Sequence, residues 1–264
     1  MGSSAEEQAL AMAAGMRAEN LPTEGPQHDV YVPSFAAGRY AVSKSEFATF
    51  IRASGYVTHA QRESGCFVWV GEDGKQNRAD LQVRWSHPDF YQEGDHPVVC
   101  VTWNDAQAYI KWLSQITGKK FRLFTEAERE YAARGGTASS FWFGETIRTS
   151  QANYNGARAS YNQSPQGERR QATVAVRSFS PNPFGLYGVH GNTWDWVEDC
   201  FHQNYEGAPA NGSAWTKDCS GDNEKIVRGG SWYNAPFSLR AAFRGWINGN
   251  IPMHHIGFRI ARDL

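Results

Sequence analysis

Apolar residues recur at helical spacing in three short stretches of this chain, and each stretch carries its own start and stop signals. Phe47, Phe50 and Ile51 share one face of a segment that opens at Ser43 and ends at Gly55; Ser43 and Glu46 have the spacing at which each side chain takes the other's backbone amide. Tyr109, Ile110, Leu113 and Ile116 repeat the pattern in a helix that begins near Asn104, capped by Thr102 or Asn104, and stops at Gly118. A third, shorter helix is predicted after Thr125, running to Arg134, with Glu128 answering Thr125 and Gly135-Gly136 beyond its end. Upstream, the Ala/Glu-rich stretch 4–20 reads as a loose helix on a surface excursion, broken by the prolines of 21–26.

Elsewhere the pattern is that of short strands and turns. Strands are predicted at 29–32, 37–42, 173–179, 225–228, 239–244 and 257–262; in the last, Phe258 and Ile260 face one way and Arg259 and Ala261 the other. Cys66 to Gly71 reads as a strand entering a turn, and 84–90 as a loop. No tandem repeat or low-complexity segment interrupts the chain.

Composition adds the character of the core. With 264 residues, 41% hydrophobic, the chain can bury one sizeable core, and we expect a single domain over 1–264. Its 10 Trp, 11 Tyr, 15 Phe and 26 Gly describe aromatic pegs in an irregular, loop-rich scaffold. A formal net charge of -1 leaves no basic excess to neutralise phosphates, so nucleic acid is not an expected partner. No apolar run has the length of a membrane span, and no secretory signal is visible.

The four cysteines include no Cys-x-x-Cys pair. Cys200 and Cys219 bracket a loop of the kind a disulfide staples well, and a bridge or separate thiols both remain open; Cys100, in the apolar run 98–101, reads as a buried free thiol. No Gly-x-Ser-x-Gly, Walker or dinucleotide motif is present.

Three blocks that pair glycines with aromatic rings dominate the C-terminal half: Gly185 to Cys200, Arg228-Gly229-Gly230-Ser231-Trp232, and Ile256-Gly257-Phe258-Arg259. With Met1-Gly2-Ser3, Glu24-Gly25-Pro26-Gln27-His28, 96–106 and 122–128, their order resembles the formylglycine-generating enzyme (sulfatase-modifying factor) family over nearly the whole chain. The resemblance implies an α+β fold, a loop-rich variant of the C-type-lectin fold with short antiparallel strands and a few helices. In the family Met-Gly-Ser ends the first core strand, so a chain opening at Met1 is expected to have lost an upstream segment, one that could have carried a signal; a periplasmic or secreted location is the expectation.

The same resemblance puts the family's copper-binding cysteine pair at Asn234 and Leu239. Neither is a thiol, so no copper is expected there and formylglycine generation by that route is excluded. Two structural calcium sites are implied: Asn153, the Tyr154 carbonyl, Glu168 and the Arg170 carbonyl for one, the Gly191 and Thr193 carbonyls with the Asp195 carboxylate for the other. The second departs from the family at Gly188, where a side-chain ligand is missing, and in the shorter arm of Asp195, for which a purely hydrogen-bonding role stays open. Arg129 stands where the family usually has Trp; its stem is expected on apolar surface and its head in water.

The family docks its substrate on the segment 232–255. We therefore expect a small-molecule or peptide ligand to meet Tyr233, Asn234, Phe237, Ser238, Arg244, Trp246, Asn248, Asn250 and His254, with Arg244 and Trp246 as anchors and Trp232 and Phe243 in the core. Neighbours in an extended segment face opposite ways, so His254 and His255 are read as solvated loop histidines rather than a chelating pair. Asp195, Glu198 and Asp199 offer acid–base chemistry or helix-end and calcium roles. The resemblance implies one of three functions: a cysteine-independent, PvdO-like oxidoreductase that matures the fluorophore of a pyoverdine-type siderophore, a non-catalytic binding protein with a variable surface, as in diversity-generating retroelements, or a sensory or scaffold domain with no chemistry.

Overall fold

The computed structural model describes residues 1–70, 76–157 and 160–264. Its three periodic helices are closed by the caps their sequences carry. In α2 (Lys44–Ser54) the Ser43 hydroxyl accepts the Glu46 amide at 3.3 Å while the Glu46 carboxylate takes the Ser43 amide at 2.7 Å. Thr102 and Asp105 do the same for α3 (Trp103–Thr117), and Thr125 and Glu128 for α4 (Glu126–Arg134). Each helix then stops on a glycine in the left-handed region: Gly55, Gly118 and Gly135.

Nine strands form three small sheets among the described residues. β1 (Phe35–Ala37), β9 (Ile260–Asp263) and β4 (Phe121–Leu123) make one, in the order β1-β9-β4. β2 (Cys66–Val70) pairs with β3 (Gln76–Asp80). The third runs β7 (Arg244–Asn248), β6 (Glu224–Arg228), β5 (Trp194–Cys200), β8 (Ile256–Phe258); its β5–β8 pair is parallel and every other named pair in the three sheets is antiparallel. β5 packs under α2 and α3, where Trp196, Phe47, Phe50, Tyr109 and Phe258 share one buried cluster and Trp196 Nε1 donates to the Val101 carbonyl at 3.0 Å.

Several expectations are corrected. No strand forms at 29–32 or 173–179, and the strand expected at 37–42 lies at Phe35–Ala37. The segment expected as a strand from 239 begins as a 3-10 turn, Pro236–Leu239, and becomes extended at Arg244. β3 was not anticipated; the turn expected at Gly71 lies outside the described residues. Cys100 is not free: it is bridged to Cys66, and Cys200 is bridged to Cys219.

Nor is the N-terminal stretch a surface excursion. α1 (Ala5–Ala13) and the 3-10 turn Ala18–Glu24 deliver Glu7 and Glu24 to the buried guanidinium of Arg240, with Nη2 to Glu24 at 2.6 Å and Nη1 to Glu7 at 3.2 Å. A buried arginine needs a carboxylate, and this stretch supplies two.

Candidate functional site

The segment before β8 is sewn to β2 by backbone hydrogen bonds: Phe67 N–H to Pro252 at 2.8 Å, His254 N–H to Phe67 at 3.1 Å and Cys100 N–H to Met253 at 3.0 Å. The Cys66–Cys100 bridge locks the same strand from below. Trp69 is thereby set beside His254 and His255. The loop after Gly229-Gly230-Ser231 adds Trp232 and Tyr233, and the loop 84–90 adds Asp89 and Phe90.

These side chains form one aromatic cluster. Trp69 and Tyr233 stack with centroids 5.4 Å apart and planes 7° from parallel. Trp232 meets Phe90 edge-on at 5.3 Å and His254 at 5.1 Å. His255 lies 6.0 Å from Tyr233 and 5.3 Å from His254.

The two histidines are not solvated, as expected from sequence, but 1% and 5% exposed. His254 Nδ1 lies 2.8 Å from Asp89 Oδ1, and its Nε2 accepts the Trp69 amide at a long 3.4 Å. The neutral tautomer therefore carries its proton on Nδ1, donated to Asp89, with the basic lone pair on Nε2. Burial, and then the neighbouring His254, hold the pKa of His255 well below the usual histidine range, so it is neutral.

Three buried nitrogens of the cluster have no partner: Trp69 Nε1, Trp232 Nε1 and His255 Nδ1. Other indoles do better, Trp103 Nε1 reaching the Val197 carbonyl at 2.8 Å and Trp85 Nε1 reaching Gln61 at 3.3 Å. An indole nitrogen can only donate, so the cluster presents donors awaiting an acceptor between flat apolar walls. Among the described residues no three His, Cys, Asp or Glu side chains converge as metal ligands. A separate groove of about 480 Å³, lined by Phe35, Arg39, Tyr131 and Phe184 among others, shares no residue with this cluster.

Of the ligand-binding residues expected from sequence, Tyr233 and His254 enter the cluster and Asn234 borders it. Asn234 Oδ1 accepts the Ser231 amide at 3.1 Å and its hydroxyl at 2.6 Å, so it ties a turn, while Leu239 is fully buried in the core. The two positions of the family's thiol pair are thus structural. Phe237 and Ser238 belong to the 3-10 turn, with Phe237 packed against Phe243. Asn248 donates to the Asp222 carbonyl, and Asn250 accepts from Asn104.

The two expected anchors are corrected. Arg244 is 2% exposed, bidentate to Glu126 at 2.7 and 3.0 Å, and its remaining donors reach the Thr23 and His202 carbonyls. Trp246 stacks on Phe201 at 4.2 Å in another cluster. Trp232 is buried as expected, 6% exposed, and its ring packs against Phe90 and His254. Sequence reasoning missed Trp69, Asp89 and Phe90, which no motif connects to His254; a Cys66–Cys100 pairing would have been the signal.

The carboxylates of 195–199 sit on a strand, not a helix. Asp199 accepts the Glu126 and Trp215 amides, both at 2.8 Å, and burial, with Glu126 beside it, pushes its pKa up to about 7. Glu198 accepts from Gln107 at 3.0 Å.

The two calcium sets differ in fit. Asp195 Oδ1 is buried without a partner, but Oδ2 takes Arg129 Nε at 2.9 Å and Arg259 Nε at 3.5 Å, and two guanidiniums on one carboxylate make the set with Gly191 and Thr193 a poor place for a divalent cation. The Arg129 head, expected in water, is completely buried. In the other set, Asn153 Oδ1 is buried without a partner, and hydrogen bonds between Gly156 and the 167–168 segment bring Glu168 and Arg170 to the loop of Asn153 and Tyr154. Glu168 is held by Arg170 at 2.8 Å, yet its side chain is largely exposed and free to turn. Hard oxygen donors on two adjoining loops fit calcium.

Short helices around small, mostly antiparallel sheets, joined by long tied-down loops, make this an α+β protein of C-type-lectin-like fold. Residues 4–264 match the sulfatase-modifying factor enzyme 1-like domain, and the chain belongs to that formylglycine-generating enzyme family. The formylglycine-generating enzyme of Thermomonospora curvata is 33% identical over 267 residues, 91% of this chain and 86% of the relative. PvdO from Pseudomonas aeruginosa is 34% identical and superposes with a TM-score of 0.78 over 100% of this chain and 90% of that one. Treponema denticola variable protein 1, 22% identical with a TM-score of 0.58, covers 89% of this chain and 86% of its own, and shares the fold alone.

Proposed function

We propose that this protein is a cysteine-independent member of its family that works as PvdO-like proteins are expected to, oxidising an aromatic ring of a pyoverdine-type siderophore precursor in the periplasm or outside the cell. One observation carries the reading: the unpartnered buried N–H donors of Trp69 and Trp232, with the unpartnered Nδ1 of His255, are gathered among aromatic rings beside the Asp89–His254 pair. Flat rings take a ring substrate by its faces, the indole donors take its oxygen or nitrogen acceptors, and His254 Nε2 accepts the proton released once its long contact with the Trp69 amide gives way. The likeness to PvdO and the two disulfides, which suit an oxidising compartment, support it.

The reaction removes two electrons and two protons from a dihydro-ring, and the acceptor we name is dioxygen, reduced to hydrogen peroxide. A calcium ion, when bound, would be held by Asn153, the Tyr154 and Arg170 carbonyls and Glu168, and would tie their two loops together. Display of a variable binding surface is the weaker alternative, because Tyr233, Ser238, Arg244 and His254 are buried.

The test is dioxygen consumption and peroxide release with a dihydroquinoline substrate, with the product followed by mass spectrometry. Turnover with loss of two hydrogens is expected, slowed about 10²-fold or more by His254→Ala. Turnover that is absent, or unchanged in that variant, overturns the reading.

A further inference from the structure

The loop 187–195 turns its oxygens inward, as a cation-binding loop would. Two arginines take the Tyr187, Gly188 and Val189 carbonyls and Asp195 Oδ2, while the Gly191 carbonyl takes the Thr193 amide and Asp195 Oδ1 has no partner. Arg129 Nη2 donates to the Val189 carbonyl at 2.8 Å and its Nε to Asp195 at 2.9 Å. Arg259 Nη2 donates to the Tyr187 and Gly188 carbonyls at 2.8 and 3.3 Å, and its Nε approaches the same Asp195 oxygen. Two guanidiniums and one carboxylate leave the pocket with a surplus of positive charge, which repels any further cation.

Space for the Arg129 head is reserved by glycine. Gly229, the first of the Gly-Gly-Ser glycines, has φ +97, and a Cβ there would stand 2.5 Å from Arg129 Nη2. Gly188 meanwhile offers no side-chain oxygen where an Asn or Asp was expected from the family pattern. Burial lowers the pKa of Arg129 to about 10, against the pull of Asp195, which still leaves it cationic at neutral pH.

We propose that the guanidinium of Arg129, held on Asp195 Oδ2 and the Val189 carbonyl, supplies the positive charge in place of the structural calcium ion expected at Gly191, Thr193 and Asp195, so that this loop carries its own cation and is independent of metal. A cation that is part of the chain cannot be removed by chelators or by acid competition for its ligands. Departures from the family that look unrelated in sequence, Arg for Trp at 129, Gly at 188 and the shorter Asp at 195, then belong to one exchange.

Calcium at the Asn153 set would mask the effect, so the experiment uses the Asn153→Ala protein. Elemental analysis after dialysis against calcium should find less than one ion per chain, and excess chelator should leave its Tm unmoved. One calcium per chain, or a Tm lowered several degrees by chelator, overturns the proposal. Arg129→Lys and Arg129→Met in the same background separate charge from bulk: Lys should retain more of the Tm than Met, and Met equal to or better than Lys overturns it. Should both fail to fold, the stoichiometry and chelator response of the Asn153→Ala protein still decide.

Discussion

Two buried polar regions of this molecule have been treated in opposite ways. Around Arg228, Arg240, Arg244 and Arg259 nearly every donor is met by a carboxylate or carbonyl, and the leftovers nearest it are Arg228 Nε and Asp195 Oδ1. In the aromatic cluster the indole donors of Trp69 and Trp232 and the Nδ1 of His255 are left unmet although the rings around them are packed. A buried arginine without its partners costs about 3–5 kcal/mol, so that region is saturated. A buried indole N–H without an acceptor is tolerable, costing about 1–3 kcal/mol, and leaves a place for something that arrives later. Conserving satisfaction in one place and withholding it in another is what separates scaffold from site here.

The sharpest break of this contrast is Glu126→Ala. It strands Arg244 in the interior and removes its bidentate partner, and should lower unfolding free energy by about 3–5 kcal/mol in urea titration. A loss below about 1 kcal/mol would mean the region is wetter than its geometry says.

Next in size is the Cys66–Cys100 bridge that anchors β2 beside the aromatic cluster. Cys66→Ser with Cys100→Ser opens the link that holds Trp69 against the His254 segment, and should remove about 2–4 kcal/mol of stability together with ligand binding. Binding that survives the stability loss unchanged would show that the backbone hydrogen bonds of β2 position the site by themselves.

Trp232→Phe keeps an aromatic ring and deletes one unmet donor. Ligand affinity in calorimetry should fall about tenfold, or about 1.4 kcal/mol, while stability falls by about 1–2 kcal/mol from the smaller ring. An equal affinity would leave Trp232 with the packing role its sequence predicts and no part in binding.

The smallest effect concerns Asp199. Its folded pKa is raised to about 7 from 3.8, so the folded state holds the proton more tightly than the unfolded one. Its contribution is therefore present in acid and is lost as pH rises through about 7; Asp199→Asn should flatten that part of the Tm–pH curve, and an unchanged slope would assign it to another group such as Glu7, raised likewise to about 7 by burial.

How much of this was legible beforehand depended on the distance between interacting residues. Ser43 with Glu46, Thr102 with Asp105 and Thr125 with Glu128 are three residues apart, and each cap forms as its spacing requires. The blocks of glycines and aromatic rings carried the fold, and the missing thiols at Asn234 and Leu239 could be read directly. Arg244 and Trp246 misled because composition does not reveal burial: the same guanidinium serves a ligand or Glu126 depending on which helix end lies beside it.

By itself, then, the sequence determined the helix limits, the family and the loss of the copper-binding pair, because these rest on local geometry and on the presence or absence of an atom. Tertiary structure alone decided that the stretch 4–24 is a buried counter-ion to Arg240, that Arg129 neutralises Asp195, and that Trp69 and Asp89 meet His254 across 185 and 165 positions of chain. Those pairings follow from which surfaces pack together once apolar area leaves water, and only then does a buried charge or an indole N–H have, or lack, a partner.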